Sequence, residues 1–179
     1  ESTCHEFDSE TLPSEFQWLR TPEPETFMSL GERPGYLRLK GKSSLGNWFE
    51  QALVARRQEA FCFSAETKME FDPLNFQQTA GLVCYYNAHK FHYLYISVDE
   101  SGRRFVDIMS CLADDTCEPS YLLSEHRGDS AKSDIGIEIP KQGPVWLRCE
   151  IAYAELKLCW STDGDTWQEM PLTLDYSIV

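Results

Sequence analysis

FCFSAETKMEFDPLNFQQTAGLVCYYNAHKFHYLYIS, residues 61–97, is the stretch on which the fold turns. Phe61, Phe63, Ala65, Thr67, Met69 and Phe71 hold one parity, while Cys62, Ser64, Glu66, Lys68 and Glu70 hold the other. Successive side chains of a strand point to opposite faces, so a period of two predicts a strand over 61–71 with one face turned inward. Asp72-Pro73 stops it, because proline has no N–H to give to a ladder. Apolar runs resume at 80–86 and 91–98 on either side of Asn87-Ala88-His89-Lys90, which predicts a hairpin. Its arms carry Tyr85, Tyr86, Phe91, Tyr93 and Tyr95, more aromatic surface than one thin core needs.

Outward from that centre the chain keeps to short strands. Upstream, 16–20 is a brief apolar run cut off by Thr21-Pro22-Glu23-Pro24, whose prolines favour extended backbone and exclude helix. Residues 36–39 alternate up to Gly41, and 51–55 reads as a buried strand. Downstream, 103–109, 135–139 and 145–151 alternate, and Pro140 separates the last two. Residues 156–161 and the segment from Trp167 are joined by Thr162-Asp163-Gly164-Asp165, where Asp-Gly supplies the positive φ of a tight hairpin and Trp167 is expected to fold back over the turn. Residues 113–133, rich in Asp, Glu and Ser, read as a surface excursion. Ten or eleven short strands without a helix predict an all-β, antiparallel two-sheet β-sandwich.

The order of several motifs resembles a known family. Ala55-Arg56-Arg57-Gln58, Phe61 and Phe63, Phe76-Gln77-Gln78 running into Ala80-Gly81-Leu82-Val83-Cys84-Tyr85-Tyr86-Asn87, and Tyr93-Leu94-Tyr95 resemble the C-terminal β-sandwich of the glycoside hydrolase family 43 β-xylosidases. The resemblance spans roughly 7–175 and includes Glu32-Arg33-Pro34-Gly35-Tyr36-Leu37-Arg38-Leu39 and Ile108-Met109-Ser110-Cys111. It implies a concanavalin A-like jelly roll, with Phe7-Asp8 at the start of its first strand. It also implies a separate five-bladed catalytic propeller in the same polypeptide, and a module that in some members is regarded as xylan-binding. On the family pattern residues 1–6 are a linker remnant and 7–179 one sandwich domain. The family pattern continues past the equivalent of Leu174-Asp175-Tyr176 into a stretch that lines the propeller's pocket, so the sandwich is expected to lack its last strands and to leave an edge unpaired.

Charge and cysteine content narrow the function classes. Sixteen basic against twenty-nine acidic residues give a formal charge of −13, which repels phosphate backbones and anionic lipid surfaces; nucleic-acid and membrane partners are not expected. No apolar run reaches the ~20 residues that span a bilayer, and the segment is expected to be soluble. Seven cysteines, an odd number without C-x-x-C spacing, suggest neither a disulfide framework nor a zinc ribbon. They favour a reduced, cytoplasmic setting, the alternative being an exported protein in which Cys111 and Cys117 pair.

No catalytic constellation stands out. Glu66 with Glu70 and Asp114 with Asp115 fit a solvated strand face and a loop rather than the acid and base of a glycosidase. His89 and His92 read as exposed imidazoles rather than a zinc site, and neither a metal nor a cofactor is expected. Sugar binding needs other chemistry: aromatic rings for the apolar faces of pyranoses, amides and guanidinium groups for their hydroxyls. Arg56, Arg57, Gln77, Gln78, Tyr85, Asn87, Phe91, Tyr93 and Tyr95 supply it and form the candidate carbohydrate-binding set. Strand tyrosines serve as core residues equally well. Three functions therefore stand: a non-catalytic accessory sandwich that docks on a xylosidase or arabinofuranosidase propeller and binds xylan or xylo-oligosaccharide, a free-standing lectin-like ligand-binding sandwich, and a hydrolase in its own right.

Overall fold

The computed structural model describes residues 2–47, 49–112, 136–177 and 179. The chain divides into two compact units, Glu1–Glu59 and Ala60–Val179. In the first, β1 (Phe16–Trp18) pairs antiparallel with β4 (Val54–Arg56), and β2 (Met28–Ser29) with β3 (Arg38–Leu39). Phe27 and Leu53 are buried. Two expectations are corrected in this unit. A 3-10 turn forms at Pro24–Thr26, because proline at a first helical position loses no bond and has a suitable φ. Phe7 does not open a strand: its φ is +54°, and the first ladder begins at Phe16.

The second unit holds the sandwich. Its strands are β5 (Cys62–Met69), β6 (Ala80–Asn87), β7 (Lys90–Val98), β8 (Arg104–Leu112), β9 (Ile137–Glu138), β10 (Val145–Ala152), β11 (Glu155–Ser161), β12 (Gln168–Glu169) and β13 (Leu174–Asp175). One sheet runs β6-β7-β8-β9; the other runs β12-β11-β10-β5, with β13 also on β11. All pairings are antiparallel. The expected excursion at 113–133 lies outside the described residues.

Alternation sorts the side chains. Cys84, Leu94, Ile96, Val106 and Ile108 of the first sheet meet Val145, Leu147, Cys149, Ile151, Leu156, Leu158 and Trp160 of the second in one core. Burying a Leu or Ile side chain of this kind contributes about 1.5–3 kcal/mol. Phe63, Ala65 and Met69 of β5 pack against that core, as the period of two predicts. Phe61 precedes the strand and is 77% exposed, a departure from the parity.

Two local features hold the first sheet in register. Gly81 lies opposite Tyr95, and a Cβ there would run into the Leu94 carbonyl and stand 2.7 Å from the Tyr95 Cα. Only glycine lets β6 approach β7 so closely. His92, expected at the surface, is 1% exposed, because β7 is the inner neighbour of both β6 and β8 and His92 shares the inward parity of Leu94. Its Nε2 donates to the Asp175 carbonyl at 3.2 Å, and its Nδ1 lies 2.7 Å from the Ser110 hydroxyl. With Nε2 as donor to the Asp175 carbonyl, Nδ1 is the ring nitrogen that pairs with the Ser110 hydroxyl. The pair ties β7 and β8 to β13 of the facing sheet.

The Asp163-Gly164 turn forms as expected. Asp163 Oδ1 accepts from the backbone N–H groups of Asp165 (2.9 Å) and Thr166 (2.7 Å) and from the Ser161 hydroxyl (2.8 Å), which holds this carboxyl far below its usual range. Gly164 takes φ +83°. The ring against that turn is Trp146, 3.0 Å from where a Gly164 Cβ would stand. Trp167 instead lies under the Arg148 guanidinium, 3.6 Å from its ring centroid.

Candidate functional site

The outward positions of the β6-β7-β8 sheet gather the aromatic residues. Tyr85 lies opposite Phe91, Tyr93 opposite Met109, and Tyr95 opposite Asp107. Tyr85 and Phe91 stack with centroids 6.2 Å apart, Tyr93 and Tyr95 at 5.5 Å, and the Phe105 edge meets Tyr95 at 6.3 Å. Such contacts contribute about 0.5–1.5 kcal/mol each beyond area burial. A strand whose odd positions are all aromatic up to Ser97 can only build such a row on one face.

The row is not an open platform along its length. Phe91 is fully buried and Tyr93 is 8% exposed; Tyr85 and Tyr95 are half-buried. Burial pushes the Tyr93 hydroxyl up to about 12, against a hydrogen bond with Thr79 that pulls it down. Burial raises Tyr95 further, helped by the negative charge of Asp107 and by Tyr93. Both phenols are therefore neutral donors at physiological pH. Of Tyr85, Phe91, Tyr93 and Tyr95, it is Tyr85 and Tyr95 that keep appreciable solvent contact.

The polar members of the candidate set fall in three places. Gln77 and Gln78 are exposed in the β5–β6 connection, where the Gln78 side-chain oxygen accepts from the Leu74 N–H at 2.8 Å and its carbonyl accepts from the Ser97 hydroxyl at 2.8 Å. The Gln77 N–H donates to Asn75. Asn87 closes the β6–β7 turn, its Oδ1 accepting from the His89 N–H at 2.8 Å. Arg56 and Arg57 belong to the first unit; Arg56 donates to the Thr3 hydroxyl at 2.9 Å and Arg57 Nε to the Gln17 side-chain oxygen at 3.4 Å.

Three carboxylates of the second unit do not have the character of glycosidase acids. Asp99, Asp163 and Asp175 are all displaced downward, by hydrogen bonds from Ser101 and Arg103, from Thr166, Asp165 and Ser161, and from Ser177 respectively. A general acid at neutral pH needs the opposite displacement. Glu66 is held by Arg148 at 2.8 Å. Among the described residues no three His, Cys, Asp or Glu side chains come together as a metal site.

Two cationic features escaped the sequence reading. Arg148 is clamped between the Trp167 ring and Glu66 on the outer face of the second sheet. Arg104 is 3% exposed and donates to the backbone carbonyls of Phe71 (2.8 Å), Pro140 (3.0 Å) and Gly143 (3.1 Å). The parity of Val106 and Ile108 carried the signal that Arg104 also points inward.

Comparison with known proteins agrees with this geometry. Residues 4–179 match the model of the β-xylosidase C-terminal concanavalin A-like domain. The chain is 40% identical over 168 residues to xylosidase/arabinosidase 43B of Humicola insolens, covering 94% of this chain and 29% of that protein. To the β-xylosidase of Bacillus subtilis strain 168 it is 34% identical over 171 residues, 95% of this chain and 30% of that one. It is also similar to the crystal structure of xylan β-1,4-xylosidase from Bacillus halodurans C-125, with a TM-score of 0.83 and 31% identity over 99% of this chain and 32% of that one. The chain thus spans about 30% of the length of the curated relatives it matches. With the two antiparallel sheets of its second unit and a family match running from Cys4 to its last residue, the chain belongs to the β-xylosidase C-terminal concanavalin A-like domain family of glycoside hydrolase family 43.

Proposed function

We propose that this domain is the non-catalytic partner of a five-bladed β-xylosidase or arabinofuranosidase propeller in the same polypeptide, and that it contacts xylan or xylo-oligosaccharide through the rim of its aromatic row. The observation that carries the reading is the share of the relatives that the chain covers, about 30%, which leaves most of a xylosidase outside it. The downward displacement of Asp99, Asp163 and Asp175 supports a chain without its own general acid. Half-buried Tyr85 and Tyr95 leave ring area for a pyranose face, while Phe91 and Tyr93 serve as the packed base beneath them. A shallow contact of this kind binds weakly, because it buries little of its ligand. Titration of xylohexaose into isotope-labelled protein tests it: amides of β6 and β7 should shift while Ile137 and Glu138 of β9 stay still. If saturating xylohexaose moves no β6 or β7 resonance, or if Tyr95→Ala folds and binds xylan like the parent, the sugar contact is wrong and the face serves docking alone.

A further inference from the structure

Strand parity sorts the buried cysteines of the second unit into two kinds. Cys111 of β8 and Cys159 of β11 take the outward parity, opposite Phe91 and Arg148 across their ladders, whereas Cys84 of β6 and Cys149 of β10 belong to the core between the sheets. Among the described residues these are the two thiols that face each other from opposite sheets. They are hydrogen-bonded to one another, and both are free. Cα atoms of β6 and β10 come within 8 Å of each other, nearer than the ~10 Å that separates packed sheets. Tyr176 packs against the same core, and its hydroxyl is pushed up to about 12 by burial and then by both sulfurs, which places the three groups together.

We propose that Cys84 and Cys149 are a latent inter-sheet disulfide, closed by thiol–disulfide exchange when the chain folds in the presence of a small disulfide such as oxidised glutathione. One cysteine thiolate attacks a glutathione sulfur, forming a mixed disulfide and releasing the first glutathione as its thiol. The second cysteine then attacks the protein sulfur of that mixed disulfide, forming the Cys84–Cys149 bond and releasing the second glutathione. The protein thiols give up two electrons and two protons, and the two departing glutathiones carry both. No ligand has to enter the finished core, because the bond joins two atoms of the protein and the exchange takes place before the sheets close. In the folded protein the hydrogen bond to Cys149 and burial hold Cys84 protonated, far above the usual thiol range, so the closed sandwich keeps whichever state it folded in. Geometry selects the partner: the paired sulfurs need only close to about 2.0 Å, whereas Cys111 and Cys159 lie on opposite outer faces.

The test is to refold reduced, denatured protein in glutathione with an excess of its disulfide, block the free thiols with iodoacetamide, and digest with trypsin without reduction. Residues 69–90 and 149–157 are the tryptic peptides that carry these cysteines, one each. They should appear joined, two hydrogens lighter than their sum. Exposed Cys4 and Cys62 should carry glutathione, which shows that the buffer oxidised the sample. Closing a loop of about 65 residues should raise the urea midpoint of the oxidised protein by about 1–2 M over the reduced protein, and Cys149→Ala should remove that difference. Should Cys149→Ala fail to fold, the joined peptides and the oxidised-against-reduced comparison in the parent still decide. The proposal is overturned if Cys84 and Cys149 are recovered alkylated or glutathionylated beside glutathionylated Cys4 and Cys62, if they are joined to other cysteines instead, or if the joined form unfolds at a lower urea concentration than the reduced one.

Discussion

Gly81→Ala is the sharpest test of the register that places Tyr93 and Tyr95 on one face. Its backbone φ is ordinary, so the whole penalty is steric: the added methyl meets the Leu94 carbonyl and the Tyr95 Cα, both backbone atoms that no rotamer change can move. Overpacking against movable side chains costs about 1–3 kcal/mol, and here β6 must separate from β7, so we expect about 3 kcal/mol. Gly102 is the matched control in the same unit. It has nothing within 4 Å of a Cβ but a φ of +82°, and alanine there carries only the left-handed penalty of about 1–2 kcal/mol. With a urea m-value of about 2 kcal/mol/M, Gly81→Ala should lower the midpoint by about 1.5 M and Gly102→Ala by about 0.5–1 M, read by far-ultraviolet circular dichroism. If Gly81→Ala costs no more than Gly102→Ala, Gly81 does not face Tyr95 and the assignment of faces falls with it.

Other outcomes follow from particular residues. The isolated chain should not turn over aryl xyloside or arabinoside at high protein concentration; activity that survives repurification and vanishes on mutating one of its carboxylates would contradict the accessory role. Ser110→Ala should cost about 1–3 kcal/mol in urea unfolding, because it removes the hydrogen-bond partner of buried His92 Nδ1. In thiol titration of native protein Cys4 and Cys62 should react quickly, and Cys84, Cys111, Cys149 and Cys159 only on unfolding; fast labelling of the buried four would contradict the core. Hydrogen bonds from Ser101 and Arg103 depress Asp99 below its ordinary 3.8, so its ionised form favours the folded state. That contribution is present above about pH 4 and is lost as pH falls through the depressed folded value. Asp99→Asn should lower the plateau and flatten the midpoint's dependence on pH between about 4 and 2.

The sheets were legible because their signal is local. Period two at 61–71 and the hairpin at 80–98 yielded β5, β6 and β7 within a residue or two. Parity likewise set Tyr85, Phe91, Tyr93 and Tyr95 in one row. How far that row is covered is decided by chain distant in sequence, so Phe91 gave no sign of being fully buried. His92 read as a turn imidazole because nothing near it announces Ser110 or Asp175, the latter 83 residues away. Arg104 was missed for a similar reason: its acceptors come from Phe71, Pro140 and Gly143, and backbone carbonyls leave no mark in a sequence. Pro24 misled through position, since the same ring that breaks a helix interior suits a first turn.

The pairing of β5 with β10 also has a consequence in time. Glu66 and Arg148, neighbours across that ladder, are 82 residues apart in the chain, whereas β6, β7 and β8 find their partners at adjacent hairpins. At about 5–20 residues per second of synthesis, β5 waits roughly 4–16 s for its ladder partner after leaving the ribosome. Throughout that wait the Phe63, Ala65 and Met69 side lacks the part of the core that β10 and β11 supply. Glu66, Lys68 and Glu70 on the opposite parity, which contribute little to the finished core, put charge on every other position of the waiting strand and oppose its pairing with a second chain.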